Sequence, residues 1–211
     1  RSSWFFVSTA MAQNSAVSCE ILSSQGLSGG VITSAEFIET GSFNLPAGIA
    51  SRGFDDYQSL KAFCRINAEL SPVEGSNIQI ELWMPAEEWN DKLVAVGNGG
   101  FAGAIIYNAL AEALMDGFAA VSTNTGHEGN SPDFLLNSEQ LIDFAHRAIH
   151  EMTVAAKSLT ASYYSMTPRF TYFNGCSTGG RQALTAAQRY PNDFDAIVAG
   201  APANSTVRMT M

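Results

Sequence analysis

Positive charge is scarce in this chain. Its 211 residues hold 11 Lys and Arg against 20 Asp and Glu, a formal net charge of -9 at neutral pH. An acidic surface repels a phosphate backbone, and no Lys/Arg-rich run gathers the few cations into a patch, so no nucleic-acid partner is expected. The chain also lacks an apolar run near the roughly 20 residues a helix needs to cross a bilayer. It has no basic amphipathic stretch either, so no membrane partner is expected. Internal repeats, low-complexity tracts and charged linkers are missing as well. With 46% hydrophobic and 15% charged residues, the composition fits one globular domain with a core and argues against disorder.

Cysteine is sparse: Cys19, Cys64 and Cys176. The odd number leaves one sulfur without a partner in this chain. Cys19 is expected to bridge to Cys64, closing a loop that stabilises by about 4 kcal/mol in the chain-entropy account. Cys176 is then left over. Three free buried thiols are the alternative. A disulfide needs an oxidising compartment, and the first residues point to one. Arg1, the apolar run Trp4-Phe5-Phe6-Val7 and the cleavage-like Ala10-Met11-Ala12 read as a partial signal peptide over residues 1–12, with Gln13 next. A short buried helix or a disordered end is the plainer reading. A signal peptide implies a secreted or periplasmic protein.

Residues 13–75 are rich in Gly, Ser and Ala and show little helical periodicity, which suggests a small N-terminal layer with turns near Gly29-Gly30 and Leu45-Pro46. Beyond them the pattern sharpens. Ile78, Ile80 and Leu82 alternate with Gln79, Glu81 and Trp83, as in a strand exposed on one face. Leu93–Val96, Phe118–Ser122, Phe170–Phe173 and Ile197–Gly200 read as short, mostly buried strands. Helical patterns occupy Ala104–Met115, Ser138–Tyr164 and Thr178–Tyr190. Strands alternating with helices predict an α/β fold, a mostly parallel sheet flanked by helices. Ligand sites in such sheets lie outside the carboxyl ends of the strands. The Gly97–Gly103 segment, the Thr123–Gly129 segment and Ser177 all fall there.

Gly175-Cys176-Ser177-Thr178-Gly179 fits the pattern G-x-S-x-G between a strand and a helix. A serine on so tight a turn presents its hydroxyl at a helix N-terminus, where backbone N–H groups favour negative charge. Side chains two residues to either side would collide with neighbouring structure, which is why glycine suits both places. Ser177 is the candidate nucleophile; a Gly/Ser-rich turn without chemistry is the bland alternative. An oxyanion hole needs two N–H donors. Thr178 supplies one and Gly100, in Gly97-Asn98-Gly99-Gly100-Phe101, the other, with Gly99 and Phe101 as near alternatives. A dinucleotide reading of that loop fails because the G-x-G-x-x-G spacing is not met.

No triad can be completed from these residues. The fold order is Ser, then Asp or Glu, then His. His127, His146 and His150 all precede Ser177, and the acids after it, Asp193 and Asp195, read as surface-turn residues. His146 and His150 stand four apart on a helix, a metal-like spacing without a third ligand, and are expected to be hydrogen-bonded structural residues. His127 is a residue that could line the site.

The runs Val96–Gly103, Asn124-Thr125-Gly126-His127, Phe173–Gln182, Tyr190-Pro191 and Ala199–Ala203 together resemble the tannase and feruloyl esterase family. Gly-Cys-Ser-Thr-Gly-Gly-Arg is far more specific than G-x-S-x-G alone. The resemblance implies an α/β-hydrolase fold, with residues 13–211 as the N-terminal part of a catalytic domain and a lid inserted after the strand near Gly200. It implies hydrolysis of feruloyl- or galloyl-type aromatic esters, from plant cell wall or tannin. It also implies that Cys176 bridges to a cysteine preceding the catalytic histidine, outside this chain. No cofactor is implied for catalysis, though a structural calcium ion belongs to the family's lid. A binding protein on the same scaffold, without turnover, is the rival reading, and a peptidase or thioesterase a third. Acyl and alcohol specificity and oligomeric state stay open.

Overall fold

The computed structural model describes residues 18–50 and 53–204. The signal-peptide expectation, residues 1–12, lies outside them. Seven strands form one sheet: β1 Gly30–Ile38, β2 Phe63–Leu70, β3 Ile78–Pro85, β4 Lys92–Val96, β5 Ala119–Thr123, β6 Phe170–Cys176 and β7 Ala196–Gly200. Their order across the sheet is β1-β2-β3-β5-β4-β6-β7. The three pairings from β1 to β5 are antiparallel, and β5, β4, β6 and β7 run parallel. The parallel half carries the G-x-S-x-G turn. β1 and β2 of the antiparallel half fill the stretch, residues 13–75, that sequence left as a small layer. Its signal was legible in β2, where Ile66, Ala68 and Leu70 alternate with Arg65, Asn67 and Glu69.

Helices cover both faces. On β4, Leu93 and Ala95 face one core with Ala148, Met152 and Leu159 of α3 (Ala148–Tyr164) and Ala183 and Ala186 of α4 (Thr178–Arg189). Val94 and Val96 face a second core with Leu110, Ala111 and Leu114 of α1 (Tyr107–Met115). A strand buried on both sides reads as an unbroken apolar run, which is what Leu93–Val96 shows. The same reason corrects the expectation for β3. Its second face is not exposed, because Phe43, Tyr57, Leu60 and Phe63 close over Trp83 in the second core. Glu81, on that face, is 1% exposed.

Two helical boundaries also move. α1 begins at Tyr107 rather than Ala104, because residues 104–106 are drawn into the neighbouring loop: the Ala104 carbonyl accepts from Asn98 Nδ2 at 3.1 Å and the Ile106 N–H donates to Ser122 Oγ at 2.9 Å. The helical run from Ser138 to Tyr164 is unbroken, but widens into a π turn over Asp143–Arg147, between α2 (Ser138–Ile142) and α3. There the buried Asp143 carboxylate takes Ser76 Oγ at 2.8 Å and pairs with Arg147. Insertions of this kind recur at functional sites. Cys19 and Cys64 are joined in a disulfide, Cα to Cα 5.5 Å, tying the first turn of the described chain to β2.

Candidate active site

Ser177 is the single residue between β6 and α4. Its backbone sits at φ 60°, ψ -116°, a region that L-residues avoid and that surrounding structure must enforce. Enforcement comes from both sides. The Ser177 N–H donates to the Gly200 carbonyl at 3.0 Å, and its own carbonyl accepts from Arg181 N at 3.0 Å and Ala203 N at 2.9 Å. A Cβ on Gly175 would lie 2.5 Å from the Gly179 carbonyl oxygen, so the glycine is obligatory. The side chain that this turn presents is exposed.

The Gly97–Gly103 loop leaves β4 and packs against the start of α4. A Cβ on Gly97 would meet Gly179 Cα at 2.7 Å, and Gly179 N donates to the Asn98 carbonyl at 2.7 Å. Asn98 is 1% exposed and uses every polar atom it has. Its N–H donates to Gln182 Oε1 (3.0 Å), its Oδ1 accepts from Gln182 Nε2 (3.1 Å), and its Nδ2 donates to the Thr123 (2.8 Å) and Ala104 (3.1 Å) carbonyls. One amide thus joins the ends of β4 and β5 to α4. Further along, Gly100 takes φ +57° and its carbonyl accepts from Thr178 Oγ1 at 2.8 Å. The Ala102 N–H closes the turn on the Gly99 carbonyl at 3.0 Å. Gly100 and Thr178, the two expected oxyanion donors, therefore stand side by side next to Ser177. Among the described residues no hydrogen bond occupies either N–H.

Sequence reasoning did not single out Asn98 and Gln182. The one hint was a polar residue placed between glycines at the end of an apolar strand, where a buried amide must find partners.

None of the three histidines reaches Ser177. His146 Nδ1 lies 2.7 Å from the Tyr190 hydroxyl, and His150 Nδ1 lies 2.7 Å from Asp193 Oδ2 while its ring stacks on Tyr190. Both serve the α3–α4 junction. Burial, with Arg189 and Arg147 nearby, lowers the His146 pKa. Asp193 and Asp195 lie in the turn before β7, as expected, and both are engaged there: Asp193 holds His150, and Asp195 accepts from the Thr171 N–H at 2.7 Å, fixing where β7 starts. His127 is buried under Phe134, at 3.8 Å between ring centroids, with Phe144 edge-on. Arg181 lies over Phe144 and donates to the Phe144 and Ala145 carbonyls, and burial lowers its pKa.

The family model described as tannase and feruloyl esterase matches residues 64–211. This chain belongs to that family. It is 41% identical over 157 residues to a probable feruloyl esterase B-1 of Aspergillus oryzae, covering 74% of this chain and 29% of that relative. The crystal structure of feruloyl esterase B from Aspergillus oryzae superposes with a TM-score of 0.77 at 36% identity, over 88% of this chain and 36% of that one. Tannin acyl hydrolase from Aspergillus niger gives a TM-score of 0.66 at 25% identity, over 85% and 34%. The fold is the α/β-hydrolase fold of these esterases. The chain spans about a third of the length of the curated relatives it matches.

In this member of the tannase and feruloyl esterase family, Cys176 is an exposed free thiol beside Ser177, and a Cβ on Gly200 would stand 3.6 Å from its sulfur. A cavity of about 590 Å³ opens next to it along β6 and β7, lined by Val96, Tyr172, Asn174 and Val198 among others. That cavity lies on the sheet face, away from the Gly100–Thr178 pair. Among the described residues no group of three or more His, Cys, Asp or Glu side chains could hold a metal ion.

Proposed function

We propose that the full-length protein is an exported carboxylic ester hydrolase that cleaves esters of phenolic acids of the feruloyl or galloyl type. The observation that carries this reading is Ser177 held at φ 60° at the start of α4, with the Gly97–Gly103 loop bound next to it through Thr178 Oγ1 and the Gly100 carbonyl. The names of the relatives, feruloyl esterase B and tannin acyl hydrolase, support the substrate class. In this mechanism Ser177 Oγ attacks the ester carbonyl as its proton passes to a histidine, and the carbonyl oxygen becomes an anion held by the Gly100 and Thr178 N–H groups. Collapse expels the alcohol, which takes the proton, and leaves a Ser177 acyl-enzyme. Water then attacks that ester and releases the aromatic acid.

The histidine and the acid that orients it would follow Ser177 in the chain, as the fold's order requires. His127, His146 and His150 are all engaged elsewhere. Cys176 would bridge to the residue before that histidine. A calcium ion, on this reading, belongs to the lid that follows β7, and no step here passes through it. The apolar run before Ala10-Met11-Ala12 supports export.

The test is hydrolysis of methyl ferulate and methyl gallate by the full-length protein and its Ser177→Ala variant. A loss of at least about 10³-fold in kcat is expected. Full retention by the variant would sink the assignment, and activity confined to matched amide or thioester substrates would move it to a peptidase or thioesterase.

A further inference from the structure

His127 is a histidine that the reaction above does not use, yet its ring is the most enclosed of the three. It is 4% exposed. Its Nε2 lies 2.8 Å from the Phe101 carbonyl, and its Nδ1 lies 3.2 Å from Thr125 Oγ1. A carbonyl oxygen can only accept, so Nε2 carries a proton and donates it to Phe101. Phe101 belongs to the turn that Gly100 opens. The peptide planes of this turn set where the Gly100 and Phe101 N–H groups point. Gly103, at the far end of the loop, lies flat on the same residue: a Cβ there would come within 2.2 Å of the His127 carbonyl oxygen.

The imidazole is itself fixed. Phe134 stacks on it at 21° between planes, Phe144 meets its edge, and Thr125, at a strained φ of 60°, closes the other side. Thr178 Oγ1 grips the loop from one side through the Gly100 carbonyl, and His127 grips it from the other through the Phe101 carbonyl.

We propose that His127 is a positioning residue of the oxyanion loop, donating Nε2–H to the Phe101 carbonyl so that the loop amides face the oxyanion formed at Ser177. The proposal rests on the esterase reading given above. A group that acts by aiming donors at a charge present only in the transition state affects kcat and leaves KM nearly alone.

The experiment compares three variants of the full-length enzyme. His127→Phe keeps a ring on Phe134 but removes the donor. His127→Gln places an amide N–H near the Nε2 position. Ser177→Ala reports separately on the esterase reading. With methyl ferulate, His127→Phe is expected to lower kcat about 10-fold or more with KM within about 3-fold, and His127→Gln to recover most of the loss. An arylboronic acid, which forms a tetrahedral anionic adduct on an active serine, should bind His127→Phe more weakly by a similar factor, while ferulate binding stays put. If His127→Phe does not fold, His127→Asn, whose short amide can face Thr125 but not Phe101, replaces it in the same comparison.

Unchanged kcat in the donor-less variant, or equal losses in His127→Gln and the donor-less variant, would overturn the proposal while Ser177→Ala remains inactive. Hydrolysis that survives Ser177→Ala would instead overturn the esterase reading.

Discussion

The two halves of the sheet both bury polar groups, but by opposite means. In the antiparallel half, side chains do it. The Glu81 carboxylate, buried on β3, accepts from Arg65 Nε (2.7 Å) and Nη2 (3.2 Å), Trp83 Nε1 (2.7 Å) and the Tyr107 hydroxyl (2.9 Å). Phe43, Phe63 and Trp83 pack around this cluster, and Arg65 sits over Phe43. Burial and then Glu81 push the Tyr107 phenol pKa up. In the parallel half, backbone meets backbone. Gly97, Gly175, Gly179 and Gly180 let β4, β6, β7 and α4 approach until little room is left for a Cβ, and Asn98 and Gln182 satisfy what the loops leave open. A side-chain cluster can fix a fold while its loops vary. A backbone interlock leaves the loop and the Ser177 turn little freedom to shift, and a catalytic constellation needs its groups held to within about 0.5 Å.

The sharpest test of that contrast is Gly175→Ala. Its Cβ would stand 2.5 Å from backbone that cannot move without displacing α4. Soluble yield and activity should both collapse, with any folded remainder losing far more kcat than KM. A variant of near-normal Tm and kcat would show that the interlock is slack.

Glu81→Gln strikes the other half. It leaves the Arg65 guanidinium, whose side chain is only 18% exposed, beside a neutral amide, at a cost of about 3–5 kcal/mol by denaturant titration. The kcat of the molecules that remain folded should stay within about 2-fold. If kcat falls with stability instead, the two halves are coupled through Tyr107 and α1, and the contrast breaks.

The smallest effect lies at the α3–α4 junction. Burial, with Arg189 and Arg147 next, holds the His146 pKa below the ordinary histidine value of about 6.5. The unfolded chain then binds more protons on acidification, so this residue's contribution to stability is complete above about pH 6.5 and is lost as pH falls toward the lower folded value. Melts between about pH 8 and 5 should therefore show a shallower decline for His146→Gln than for the unsubstituted protein. Equal slopes would remove His146 from the pH response.

Reading the chain residue by residue located the strands of the parallel half, the helices over both faces and the serine turn. It also paired Cys19 with Cys64. It missed β1 and β2, left as a small layer within residues 13–75, and misjudged the outer face of β3. Strand alternation says which residues share a face, but not whether a distant loop covers the other one. Phe43 and Tyr57 are far from Trp83 in sequence, and only folding brings them onto it. Asp193 and Asp195 are turn residues as read, but their partners, His150 and Thr171, lie 43 and 24 residues away and escape a local pattern for the same reason.

Local sequence sufficed for the order of strands and helices after residue 77, for the family, and for the Ser177 turn with its glycines, because periodicity and local backbone sterics act over a few residues. Only folding decided that the first three strands join the sheet antiparallel, that Asn98 and Gln182 clasp the loop to the helix, and that the His127 ring meets the Phe101 carbonyl. Those outcomes depend on burial and on donor–acceptor matching between residues up to 84 positions apart, and no local pattern encodes them.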